Sequence, residues 1–352
     1  MSASSEHAPP TDLAHAAEEE QLGHWTAAAR LYAAAFRSAT LARRVEEAAD
    51  ALRGQARVLI REERYEEAEE LAALSMEIAQ RAGAWRSAAR AVNVIGIIRY
   101  SQRDWVTSRE HFHRAVELAL DLGDDELVGL ACQNAGVVAN DLGDLREARA
   151  AYLESIGSFV RSGSSENALH AYNSLGVATA GLREWLEADV FFSRGIEIAE
   201  RLSATPLLAR LYGNRAQPLI EIGDFEQASE SLERAENAAS AVGDRVGQAV
   251  VWRWRAALCR MRLEFTAAAE CVERALSFAT APTVERAEIL MELGDVEAAR
   301  AHPEAALAAY SRARELSLTL AAEAHVREVD ERIAAITPDG TLFQGGNEAA
   351  LH

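Results

Sequence analysis

The residues of this 352-residue chain that could do chemistry are a close histidine pair, three cysteines and a large set of carboxylates. His111 and His113 lie in Glu-His-Phe-His, two positions apart. On a helix that spacing sends them to different faces, whereas a helical metal-binding pair needs i, i+4. Gly-x-Ser-x-Gly is absent, and no glycine-rich loop follows a plausible strand, so neither a nucleophile elbow nor a phosphate cradle is expected. The carboxylates are abundant, but along helices they read as solvated charge. Cys132, Cys259 and Cys271 are odd in number and lack Cys-x-x-Cys spacing. They suit a reducing compartment and read as small, buried, inert core residues. These residues point to a non-enzymatic protein with no catalytic residue, no metal ligand and no cofactor.

Charge narrows the partners. There are 36 Lys+Arg against 55 Asp+Glu, a formal net charge of −19. That balance opposes nucleic acid and anionic membrane surfaces, both of which need a cationic face. No apolar run approaches the length of a membrane span, so no membrane insertion is expected. The opening MSASSEHAPP lacks the basic-then-apolar pattern of a signal peptide, which leaves a cytoplasmic protein as the expectation. Ala, Leu, Glu and Arg dominate, all strong helix formers.

Stepping along the chain reveals a period of forty. Trp25, Tyr65, Trp105, Leu145, Trp185, Phe225 and Phe265 recur 40 residues apart, and Pro303 continues the series two residues early. Seven residues after each anchor stand Tyr32, Ala72, Phe112, Tyr152, Phe192, Leu232, Val272 and Tyr310. Nine before it stand Ala16, Ala56, Gly96, Gly136, Gly176, Ala216, Ala256 and Gly294. The positions three and ten after each anchor are likewise Ala, Ser or Gly throughout. Glycines just before an anchor (Gly23, Gly143, Gly223) or forty residues apart at Gly83, Gly123, Gly163 and Gly243 mark helix ends. Each unit therefore predicts two helices of about 16 residues, packed closely through their small positions, with a large residue filling the space above each.

This order of small and aromatic positions resembles the tetratricopeptide repeat in its longer bacterial form. The resemblance covers about residues 9–321 in eight copies. It implies an all-α fold, an α-α superhelix of helix pairs with a concave groove, whose ends need caps. In residues 322–336, Val326, Val329, Ile333 and Ile336 share one helical face, which predicts a capping helix. Residues 337–352 lose periodicity and read as a flexible tail. Trp25, Trp105 and Trp185 are anchors and therefore structural; Trp85 and Trp252 read as packing residues.

On the first helix of each repeat, one stripe is free to line the groove, the surface on which ligands bind in proteins of this resemblance. It carries Asp50, Arg53, Arg57 and Arg61, then Arg90 and Asn93, then Gln133, Asn134, Asn140 and Asp141. His170 and Asn173 follow, then Arg210, Asn214, Gln217 and Glu221, then Arg253, Trp254 and Arg260. Asn and Gln can both donate to and accept from an extended backbone. Arg adds charge-assisted bonds to carboxylates, and Trp254 offers a ring to an apolar side chain. A basic, amide-rich stripe inside an acidic protein predicts an extended, acidic peptide segment of a partner protein as ligand. The carboxylate clamp of chaperone-binding members is not reproduced: Asn134 and His170 fit parts of it, Ile97 and Ser174 do not.

Two alternatives stand beside this scaffold. One is a peptide- or partner-responsive bacterial regulator. The spacing and the Asn-lined helices resemble such sensors, but repeat one starts near residue 9 and leaves no room for a DNA-binding output domain. The other is a self-associating array.

Overall fold

Small residues at fixed intervals let helices approach, and the chain uses them to stack hairpins. The computed structural model describes residues 12–336. Its helices fall into eight pairs and a final single helix. The pairs are α1 (Asp12–Gln21) with α2 (Trp25–Leu41), α3 (Val45–Arg61) with α4 (Tyr65–Arg81), and α5 (Trp85–Ser101) with α6 (Trp105–Asp121). Next come α7 (Asp125–Asp141) with α8 (Leu145–Ser162), α9 (Ser165–Gly181) with α10 (Trp185–Leu202), and α11 (Thr205–Glu221) with α12 (Phe225–Ala241). Then follow α13 (Arg245–Met261) with α14 (Phe265–Phe278), α15 (Val284–Ala299) with α16 (Pro303–Thr319), and finally α17 (Glu323–Ile336). Among the described residues there is no strand, and no helix is long and apolar enough to cross a membrane. The chain divides into two compact units, Met1–Ala171 and Tyr172–His352, within each of which successive helices pack on their neighbours.

Every forty-residue anchor is the first residue of a second helix. Placed there, Trp105 meets Tyr100 edge-to-face with ring centroids 5.1 Å apart, tying the end of α5 to the start of α6. The short linkers share one backbone device, a residue of positive φ, recurring every twenty residues from Gly23 to Leu263. Glycine fills some of these places, and Arg43, Glu63, Arg103, Arg183 and Leu263 fill others. Asp104, Asp124, Asp144, Asp224 and Asp244 cap the helices that follow, each accepting from the backbone N–H three residues on. Between α14 and α15 the regular linker is replaced by the non-helical stretch 279–283, and Pro303 then opens α16 two residues early.

The core follows the small-over-large rule. A Cβ added at Gly96 would lie 2.6 Å from the ring of Phe112, one at Gly136 2.7 Å from Tyr152, and one at Gly294 2.2 Å from Tyr310. Only glycine lets those rings lie flat on the opposing backbone.

The last helix closes unit two. Val329 is fully buried against Leu290, Met291 and Tyr310, while Glu323, Arg327, Glu328 and Glu331 are exposed. Ion pairs frame this contact: Arg332 to Asp295 at 3.1 Å, Arg314 to Asp330 at 2.6 Å, and His325 to Glu288 at 3.5 Å. The hydrogen bond to Glu288 raises the His325 pKa above its ordinary value despite burial, with Glu288 and Glu328 favouring the cation and Arg253 opposing it. Burial works against charge on Glu288, yet Arg253 and His325 hold its carboxyl below the usual range. A histidine whose folded pKa is raised stabilises fully below its unfolded value and loses that stabilisation as pH rises through the folded value. His325→Gln is therefore expected to lower Tm more at about pH 5.5 than at about pH 8.5. Equal losses at both pH values would show that the His325–Glu288 contact carries no charge.

Candidate functional site

In unit one the first helices α1, α3, α5 and α7 pack on one another, and in unit two α11, α13 and α15 do the same. The stripe expected from the sequence lies on these layers, and the structure shows what each side chain does there.

Most of its arginines are answered from within the protein. Arg57 donates from Nε and Nη2 to the Glu20 carboxylate at 2.7 and 2.6 Å, and from Nη2 to the Tyr32 hydroxyl at 3.0 Å. Burial opposes ionisation of Glu20, but the bonds from Arg57 and Tyr32 leave its pKa lowered. Arg53 pairs with Asp50 at 3.0 Å, and Arg61 lies over the ring of Trp25. Arg253 pairs with Glu288 at 3.2 Å and stacks on Trp254, its guanidinium 4.1 Å from the ring centroid. Arg260 grips the buried Glu292 through two bonds at 2.8 and 3.3 Å. Two arginines are held loosely or not at all. Arg90 is 3.8 Å from Glu126, and Arg210 is exposed with no ion pair among the described residues.

The amides behave differently, because they pair with each other. Asn134 Nδ2 donates to Asn93 Oδ1 at 3.1 Å, joining α7 to α5. Asn214 Nδ2 donates to Asn173 Oδ1 at 3.1 Å, joining α11 to α9. The second pair repeats the first eighty residues later. One such bond occupies one of the four hydrogen-bonding positions on each amide, so donors and acceptors are left over. Around the first pair stand Arg90 and the half-buried Gln133; around the second stand Arg210 and the half-buried Gln217. Pro218, one turn after Asn214 in α11, has no N–H to give, so the Asn214 carbonyl lacks its usual helical donor. His170, on α9, is half-buried in unit one and engaged in contacts of its own.

The acidic partners Glu20, Glu126, Glu288 and Glu292 escaped sequence reasoning. A signal existed. Glu20–Arg57, Glu288–His325 and Asp295–Arg332 are each 37 residues apart, and the Asn–Asn pairs 41 apart. Those spacings are one repeat less three and one repeat plus one, the neighbours of stacked first helices. A cavity of about 240 Å³ in unit two lies elsewhere, around Tyr212, Glu200 and Arg234. Its polar groups are bonded to one another, Tyr212 to Glu200 at 2.7 Å and Arg234 to Tyr212 at 3.0 Å.

The family model for the tetratricopeptide repeat matches residues 209–241, which span most of α11 and all of α12. A tetratricopeptide repeat protein from Parabacteroides merdae superposes with a TM-score of 0.57, covering 80% of this chain and 98% of that one at 14% identity. The chain thus carries a tetratricopeptide repeat at residues 209–241 and shares the fold of a tetratricopeptide-repeat protein. Two further structures share the tetratricopeptide-repeat fold seen here. A Rap protein complexed with competence and sporulation factor matches at a TM-score of 0.59 and 11% identity, over 96% of this chain and 90% of that chain. The apo quorum sensor NprR from B. thuringiensis matches at 0.57 and 12%, over 92% and 97%. At such identities the likeness concerns the fold. Sequence comparison with curated proteins finds no match.

Proposed function

We propose that this tetratricopeptide-repeat protein is a non-catalytic, cytoplasmic interaction scaffold that holds an extended peptide segment of a partner protein on its amide pairs. The observation that carries this reading is the pair of Asn–Asn bridges between adjacent first helices, in which the half-buried Asn134, Asn173 and Asn214 each use one of four hydrogen-bonding positions and Asn93 is buried. Their chemistry suits a backbone whose N–H and C=O groups are unpaired. An acidic side chain of that segment is met by Arg210 in unit two, which has no ion pair among the described residues, or by Arg90 in unit one, whose contact with Glu126 is long at 3.8 Å. Arg53, Arg57 and Arg253 instead hold the framework through their own ion pairs, and Trp254 is stacked beneath Arg253.

A second reading, a peptide-responsive regulator, draws support from the fold shared with a Rap protein bound to a factor and with a quorum sensor. In either reading the ligand is recognised by the same groups.

A displayed random-peptide library panned on the full chain tests the ligand class. The expected outcome is an enriched family of Pro-poor segments with Asp or Glu at one fixed position. That acidic preference should disappear with Arg90→Ala combined with Arg210→Ala. Absence of enrichment, or an acidic preference that persists in the double variant, would count against the assignment.

A further inference from the structure

Three thiols were expected to be inert, and one of them is not placed that way. Cys132 and Cys271 are buried, but Cys259 is only half-buried. Cys259 lies on α13 and Cys271 on α14, and the hairpin folds them into one cluster with Ala256, Ala268, Val272 and Ala275. Small side chains on both helices permit the close approach. There Cys271 sits in the buried cluster and the half-buried Cys259 packs against it.

We propose that Cys259 and Cys271 form a peroxide-responsive dithiol: Cys259 reacts first with hydrogen peroxide, and Cys271 resolves the product into a disulfide across the α13–α14 hairpin. The layout is that of a sensor, a half-buried thiol packed on the cluster that holds a second, buried thiol. Contact with Cys271, opposed by burial and assisted by Arg262 and Arg255, lowers the Cys259 thiol below its ordinary value. The same contact, together with burial, pushes Cys271 upward. Burial likewise raises Cys132, to about 11. Cys259 is the most exposed of the three cysteines, which places it first to meet the oxidant.

The chemistry balances with peroxide as the oxidant. The Cys259 thiolate attacks one peroxide oxygen, the O–O bond breaks, hydroxide leaves, and a sulfenic acid forms. Cys271 then attacks that sulfur; the S–S bond forms as the S–O bond breaks. The proton of Cys271 and the departing hydroxyl leave as water. The chain has lost two protons and two electrons. This inference does not depend on the groove reading, although α13 also carries Arg253 and Trp254.

The test uses the full chain, reduced, freed of reductant, exposed to hydrogen peroxide, alkylated and digested with trypsin. Cleavage after Arg255, Arg260, Arg262 and Arg274 places Cys259 in residues 256–260 and Cys271 in residues 263–274. The expected product is these two peptides joined, two hydrogens lighter than their sum, with Cys132 still open to alkylation after unfolding. In Cys271→Ser, whose helicity is checked first, the same treatment should leave a sulfenic acid on Cys259 that dimedone traps. Peroxide consumption of Cys259 no faster than of Cys132, or disulfides between chains in place of the joined peptides, would overturn the proposal.

Discussion

Phe192→Ala is expected to destabilise unit two by about 3–5 kcal/mol, a large fraction of what a folded domain possesses. The ring is 1% exposed and lies on the backbone of Gly176, so close that a Cβ there would come within 2.5 Å of it. Removing the ring leaves a void that α9 and α10 cannot collapse into while their neighbours hold them apart. The reciprocal change, Gly176→Ala, drives a methyl into the ring and is expected to cost about 1–3 kcal/mol, even though alanine is the better helix former. Because the two positions touch, their effects should not add: Gly176→Ala with Phe192→Leu is expected to recover part of the sum. Urea unfolding checks this. In a repeat array the loss concentrates where the mutation lies, so the transition of unit two should move to lower urea. A cost below about 1 kcal/mol for Phe192→Ala would mean that the glycine-under-ring contact is not what holds the hairpin.

The forty-residue period made this contact legible in advance. Anchors, small positions and the large residues seven places on are all short-range or strictly periodic signals, and each landed in the part of the hairpin its spacing implied. The linkers were legible only in part. Gly23, Gly83 and Gly143 announce a left-handed residue, but Arg43, Glu63, Arg103 and Leu263 adopt the same conformation without glycine. Packing of the hairpins imposes the turn there, against a local preference of order 1 kcal/mol.

The candidate site was less readable. Its stripe was traced from helical spacing, but the pairing of its charges could not be. Glu20 answers Arg57, and Glu292 answers Arg260, across stacked helices more than thirty residues apart in sequence. Knowing those partners requires the stacking register, which no window of sequence contains. The expected cationic surface is therefore largely neutralised, and what remains distinctive is the amide pairing. Cys259 was expected to be buried and is only half-buried, whereas Cys271 is buried as expected. Twelve residues apart, they match no short cysteine motif, and only the α13–α14 hairpin brings both to one cluster.

The other large effect concerns binding. Asn173 and Asn214 lie between α9 and α11 and satisfy each other through one bond. If a ligand backbone takes their remaining positions, truncating both removes the recognition and leaves the buried ligand amides unpaired. Each unmade bond of that kind costs about 1–3 kcal/mol, so Asn173→Ala with Asn214→Ala is expected to weaken a library-selected peptide about 10- to 100-fold or more. Helicity should be retained, because the hydrophobic contacts of α9 and α11 do not run through these side chains.

The most direct measurement uses that selected peptide with each backbone N–H methylated in turn, titrated calorimetrically against the full chain. A scaffold that reads an extended backbone through its asparagines predicts that methylation at one or two specific positions lowers affinity at least about tenfold in the wild type. It also predicts that the same methylations have little further effect once Asn93, Asn134, Asn173 and Asn214 are alanine. A methylation profile that is flat, or that is unchanged in the alanine variant, would contradict it.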